Sequence, residues 1–292
     1  MTDGLILIDK PSGFTSFDVI AKLRRSLGTR HVGHTGTLDP LATGVLPLLA
    51  GRACRLSDFL LKADKRYTAA LRLGTATDSY DITGQVTSTC PHNITEDDIM
   101  AVLSEFTGDI MQKPPIFSAI QKNGERLYNI ARRGGQTEID PRPVNIKFIT
   151  LCGMNEHGDF LLDIKCSKGT YIRSLCHDIG ARLGVGGCVA ALRRTETGSF
   201  TLNDCVTIDH ALENPVLLPP EHAVQHLESI MLTRAQSFKF VNGAGVKYEN
   251  GAQSDDNAYY RIYNDRQLFI GIGYVDYVNM ILKSKVVFPA DA

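Results

Sequence analysis

Two hydrophobic periods alternate along the chain and mark out its elements. Residues 4–9 form a short apolar run that ends in the turn Lys10-Pro11-Ser12-Gly13, which predicts a buried strand. Thr15-Ser16-Phe17-Asp18 is a helix-start signal, and Phe17, Ile20, Leu23 and Leu27 recur at helical spacing until Gly28 stops them. Residues 50–56 lead into a helix expected to end near Lys62, and the alternation Tyr67, Ala69, Leu71, Leu73 predicts a half-buried strand. Thr95-Glu96-Asp97-Asp98 opens another helix, with Ile99, Val102, Leu103 and Phe106 on one face. Residues 159–166 read as a strand, followed by a helix through Ile172, Leu175, Ile179 and Leu183 that Gly184 closes. From about Pro215 the composition shifts to a connector. Phe238–Val241, Tyr259–Tyr263 and Leu268–Tyr274 then predict short strands of a small β-barrel-like module over 229–292.

Composition changes this picture little. The 292 residues are 43% hydrophobic and 22% charged, an ordinary globular balance with room for two domains. No basic segment followed by a long apolar run suggests a signal peptide, and no apolar stretch is long enough for a membrane span. The seven cysteines are odd in number and lack Cys-x-x-Cys spacing, which argues against a zinc site or a disulfide framework and for a reducing cytoplasm. The net charge of −1 is uneven: residues 1–75 carry 11 Lys/Arg against 6 Asp/Glu. A local basic face, not a basic total, is what phosphate binding requires.

The unusual stretch is 33–47, with three glycines, two prolines, three threonines, one histidine and one carboxylate. Gly33, Gly36 and Gly44 permit rare backbone angles, and Pro40 biases Asp39 away from helical geometry. The expectation is a shaped loop that orients Asp39, although an Asp before Pro is also a common turn former. Asp78 and Asp81 lack the rest of an oxygen cage, so no metal is expected. Ser167-Lys168-Gly169-Thr170 feeds a helix start and offers amides to an anion, without the spacing of a P-loop.

The whole string from Gly33 to Pro47 resembles the motif around the catalytic aspartate of bacterial tRNA pseudouridine-55 synthases, the TruB family. Further motifs follow in order. The string from Lys65 to Gly74 is similar to the second family motif, whose tyrosine, here Tyr67, stacks on the target base. Residues 112–145, with Pro-Pro-x-x-Ser-Ala and then Leu-Tyr-x-x-Ala-Arg, resemble a thumb-like insertion that clasps the RNA. Its basic candidates are Lys122, Arg126, Arg132, Arg133 and Arg142. Ser167–Leu175 resembles the third motif, in which Tyr171 and Arg173 enter the site and Arg173 pairs with Asp39, keeping it ionised. The resemblance also implies that Leu192 packs against the base, that His34 sits near the space the base vacates, and that Lys10 supports the loop.

What the resemblance implies is an α+β fold. A mixed or antiparallel-sheet catalytic domain with flanking helices would span 1–228, and a PUA-type domain 229–292. The implied activity is isomerisation of uridine 55 in the tRNA T-loop by base flipping and aspartate chemistry, with no cofactor and no metal. The implied partner is the T stem-loop of tRNA, bound by a cytoplasmic monomer that touches no membrane. Two alternatives stay open: a non-catalytic tRNA-binding or tRNA-folding protein, and a subunit of a guide-RNA-dependent synthase.

Overall fold

A nine-stranded mixed sheet forms the body of the molecule. The computed structural model describes residues 3–122, 124–135, 137–248 and 258–288. The chain opens with β1 (Gly4–Lys10), α1 (Ser16–Ser26), β2 (Val32–His34), β3 (Thr43–Ala50), α2 (Ser57–Leu61) and β4 (Lys65–Leu73). A hairpin of β5 (Thr75–Thr77) and β6 (Val86–Thr89) precedes α3 (Glu96–Leu103) and β7 (Gly108–Gln112). A small outlying unit follows, made of β8 (Gln121–Lys122), β9 (Glu125–Arg126) and α4 (Leu127–Arg132). The chain returns through β10 (Arg142–Met154), β11 (Phe160–Cys166), α5 (Ile172–Arg182), β12 (Gly187–Thr197), β13 (Phe200–Thr201) and α6 (Ile208–Glu213). The tail comprises β14 (Ser229–Met231), α7 (Arg234–Val241), β15 (Val246–Lys247), β16 (Tyr259–Tyr263), β17 (Phe269–Asp276) and β18 (Ile281–Val287).

The main sheet runs β1-β3-β12-β4-β11-β10-β7, with β2 and β13 joined at β3 and β12. Its pairings are antiparallel except for a short parallel contact of β12 with β3, where Arg193 and Arg194 face Thr43 and Gly44. Strand period two sorts the side chains to two faces. Ile6, Ile8, Leu46, Leu48, Ala69 and Leu71 point into one core with α1, α3, α5 and α6. Leu5, Leu7, Val45 and Leu49 point into a second core that also holds Ile272, Val286 and Phe288 of the tail. The tail sheet, ordered β14-β16-β17-β18-β15, curls over a third core around Phe240, Ile262 and Leu282.

Three expectations need correction. Phe238–Val241 was expected as a strand and lies in α7. Thr233 accepts from the Gln236 amide while the Gln236 side chain accepts from the Thr233 amide, a reciprocal cap that starts a helix. Only Phe240 is buried, whereas Phe238 is 72% exposed, so the apparent alternation had no second face. Phe17 was expected on the buried side of α1 and is 60% exposed. Ser16 takes the inward position, on the buried face of Val19, Ile20 and Leu23, and its hydroxyl bonds the backbone of Leu38. Finally, Thr43–Pro47 makes up the first five of the eight residues of β3, so the loop proper is residues 35–42. Pro47 is tolerated because it falls between the residues paired with β12 and those paired with β2, where its carbonyl accepts from the Thr35 amide at 3.2 Å.

Candidate active site

The loop between β2 and β3 is anchored from below. Lys10 is fully buried, and its ammonium donates to the carbonyls of Phe14 at 2.6 Å, Pro11 at 2.9 Å and Pro40 at 3.4 Å. The Gly13 amide donates to the Pro40 carbonyl at 2.8 Å, and the Ser16 hydroxyl holds both backbone groups of Leu38. Burial pushes the Lys10 ammonium down to about 8, against the pull of Asp39. Residues 38 and 40 are thereby fixed, and Asp39 between them has little freedom. Its carboxylate is hemmed in by protein atoms, yet 37% of its side-chain surface stays open.

Arg173, the second residue of α5, clamps that carboxylate. Its Nε lies 2.9 Å from Asp39 Oδ2, and its Nη2 donates to Oδ1 at 3.1 Å. The same guanidinium donates to the carbonyls of Phe117 at 2.8 Å and Ser79 at 2.9 Å, and lies 3.6 Å from Asp81 Oδ2. Asp81 is held in turn by Ser79 and Thr83. The turn between them carries Tyr80 at φ 64°, with its ring stacked 3.9 Å from His177. Two carboxylates therefore share one buried cation. Burial pushes the Asp39 carboxyl up from its ordinary value; Arg173 pulls it down, Asp81 pushes it up, and Lys10 pulls it down more weakly. The pull of Arg173 is real, but the net direction is upward because desolvation is the larger effect.

Asp39 and Arg173 open into a cavity of about 250 Å³ whose walls include Tyr67, Tyr171, Leu192, Lys65 and Arg194. Register explains the convergence. Tyr67 on β4 sits opposite Arg194 on β12 and Ile164 on β11, and Leu192 sits opposite Ala69. Tyr171 caps α5, and its backbone amide and carbonyl both bond the Gln112 side chain, at 2.8 Å and 3.0 Å. Burial raises the hydroxyl pKa of both Tyr67 and Tyr171. The pocket thus offers an aromatic face, an aliphatic face, a carboxylate and two further cations.

Those cations, Lys65 and Arg194, were missed as site residues. Arg194 is 1% exposed and donates to the carbonyls of Val45 at 2.7 Å and Gly36 at 3.1 Å, tying β12 to the loop. Lys65 donates to the carbonyls of Leu61 at 2.9 Å and Ala63 at 2.6 Å. Burial, then Arg194, push it down to about 8. Period two was the available signal: residues 65 and 67, like 192 and 194, fall on one face of their strands.

Other candidates lie elsewhere. Lys10 is under the loop and not in the cavity. His34 ends β2 opposite Leu48 and lines neither this cavity nor the adjoining one on the far side of Asp39. None of the five basic residues of segment 112–145 lines the cavity. Lys122 donates to the Glu138 carbonyl, Arg133 pairs with Glu125, and Arg132 lies 5.5 Å from the Tyr128 ring centroid. Arg126 caps α4, and Arg142 begins β10 opposite Gln112. Among the described residues, no group of three or more His, Cys, Asp or Glu could hold a metal ion, and no helix is long and apolar enough to cross a membrane.

Comparison with known proteins identifies the family. The model of the TruB family pseudouridylate synthase N-terminal domain matches residues 24–172, and that of the tRNA pseudouridylate synthase B C-terminal domain matches 173–235. A tRNA pseudouridine synthase B of Dechloromonas aromatica is 43% identical over 99% of this chain and 97% of its own length. That of Clostridium perfringens is 38% identical over 94% and 95%. Among solved structures, a chain of an H/ACA RNP bound to a substrate RNA containing 2'-deoxyuridine superposes with a TM-score of 0.74 at 26% identity, covering 98% of this chain and 85% of that one. The chain belongs to the TruB family of pseudouridylate synthases.

Proposed function

We propose that this chain isomerises uridine to pseudouridine in tRNA, at position 55 of the T-loop, with Asp39 as its essential carboxylate. The observation that carries the reading is the Asp39 carboxylate, clamped by Arg173 at the edge of a pocket faced by Tyr67 and Leu192. The chemistry exchanges one bond for another within a nucleotide. The bond from ribose C1' to N1 breaks, the base turns, C1' bonds to C5, and the C5 proton is replaced by one on N1. Nothing is oxidised or reduced.

The base must first leave its stack, at a cost of a few kcal/mol. Stacking on Tyr67 returns about 1–3 kcal/mol, and Leu192 covers the opposite side. Ionised Asp39 then acts on the nucleotide as a nucleophile or as a base. Arg173 bonds one carboxylate oxygen and stands in ion-pair contact with the other, which restrains the carboxylate as charge develops. In this reading Lys10 and Arg194 position the loop, the 112–145 segment grips the stem-loop, His34 fills the space the base leaves, and residues 229–292 form a PUA-type domain beside a catalytic domain of 1–228. The enzyme works as a cytoplasmic monomer.

A second reading has one observation in its favour: the solved neighbours at 26–27% identity come from H/ACA particles. The relatives at 38–43% identity named for tRNA outweigh it. The test is pseudouridine formation by the purified chain on an unmodified tRNA transcript, with the site mapped. Modification of one T-loop uridine, lost in Asp39→Asn while binding persists, is expected. Binding without modification by the parent chain would move a tRNA-folding or guide-dependent role ahead.

A further inference from the structure

A second cavity, of about 690 Å³, lies at the far end of the β2–β3 pair from the Asp39 loop. Its walls include Arg24 from α1, Arg30 and His31 before β2, and Arg52 and Arg55 after β3. Its one carboxylate, Asp3, is bound by the Arg52 side chain at 2.5 Å and by the Arg52 amide at 2.7 Å. Among the described residues, no carboxylate lies within ion-pair reach of Arg24, Arg30 or Arg55. The Nε of Arg24 is buried without a hydrogen-bond partner. Three guanidinium groups thus converge on a concave surface with their charge uncompensated, in the part of the chain that holds the positive excess. Guanidinium forks suit phosphate oxygens.

We infer that this cavity seats the phosphodiester backbone of the RNA at a point remote from the reacting nucleotide. The inference rests on the proposed RNA substrate. Strand β3 separates the two sites by about 23 Å at roughly 3.3 Å per residue, so no single nucleotide reaches both, whereas a polymer does. The strand also makes the two anchors rigid with respect to each other, so phosphate contact fixes the register in which the RNA docks.

The test uses the full chain with Arg30→Gln/Arg55→Gln, both at exposed positions, and Arg30→Lys/Arg55→Lys beside it. Binding of an unmodified tRNA transcript is followed against salt, together with KM, kcat and Tm. The Gln pair is expected to lower the salt slope by about 2, to raise KM and to leave kcat and Tm unchanged, while the Lys pair keeps the slope. An unchanged slope and KM would overturn the inference. So would a fall in kcat with KM unchanged, since that reports a disturbed fold. A separate arm titrates inorganic phosphate: if the parent binds it, the Gln pair does not, and the RNA slope stays the same, the cavity holds a small free anion and not RNA. If the parent binds RNA with this slope behaviour but makes no pseudouridine, the catalytic reading falls and this one stands.

Discussion

Replacing Gly44 by alanine probes the closest approach in the site. Gly44 has φ 103°, and a Cβ there would stand 2.1 Å from the Arg194 carbonyl oxygen and 2.9 Å from that residue's carbonyl carbon and amide nitrogen. These are backbone atoms of a central strand and cannot rotate aside. A non-glycine residue forced to such an angle costs about 1–3 kcal/mol, and overpacking a close contact costs about 1–3 kcal/mol more. The sum is about 2–6 kcal/mol. Gly184→Ala serves as the control, because its φ is 76° but nothing lies within 4 Å of the added methyl, so only the backbone part applies. Denaturant unfolding of both variants, read from midpoint and slope, gives the comparison. In a thermal scan, each kcal/mol corresponds to roughly 2–4 °C for a domain of this size. Gly44→Ala is also expected to lose activity beyond its loss of stability, since β12 carries Leu192 and Arg194. Equal costs for the two variants, or a Gly44→Ala cost below about 1 kcal/mol, would refute the argument that strand contact at this glycine sets the site.

Other consequences are open to measurement. Arg173→Lys supplies a point charge where a fork now serves Asp39 and two carbonyls, so kcat should fall about 100-fold or more, read by single-turnover assay. Asp39 must be ionised to act, so activity rises with pH through its pKa, and the acid limb should lie above the ordinary 3.8 because burial raises that pKa. Asp81→Asn removes a like charge and should move the limb down, whereas Lys10→Met removes a cation and should move it up; shifts in the same direction would contradict the charge assignment. Leu71→Ala, in a fully buried position of β4, should cost about 2–5 kcal/mol in urea unfolding while leaving KM unchanged where the protein is folded.

The sequence made the motif-bearing elements legible because their signals are local. Thr15 and Thr95 each form the reciprocal cap that Thr-x-x-Asp implies, and β4, β11 and α5 follow their apolar periods closely. Signals failed where a partner outside the local window decided the outcome. Phe238-Lys239-Phe240 alternates like a strand, but the cap at Thr233 and one buried ring made it a helix. Nothing local marks Arg194 as a site residue; only the approach of β12 to Gly44 and Gly36 turns it inward. The upward direction of the Asp39 pKa likewise needed three dimensions, since neither its burial nor the neighbouring Asp81 charge is written in the loop.

Strand β3 has no free face. Leu46 and Leu48 belong to the core beneath the helices, while Val45 and Leu49 belong to the core that Ala223, Val224 and, from the tail, Ile272 and Val286 complete, beside which Phe59 and Tyr259 meet edge to face at 5.2 Å. The strand that carries the Asp39 loop is therefore covered on both sides, and the tail completes the core on one of them. Trimming the chain before Ser229 would strip Ile272, Val286 and Phe288 from that core, at about 1.5–3 kcal/mol for each large side chain lost. That is comparable to the whole margin of about 5–15 kcal/mol that keeps an ordinary domain folded. The tail is thus no detachable accessory, and a shortened chain would need a new lining for that core.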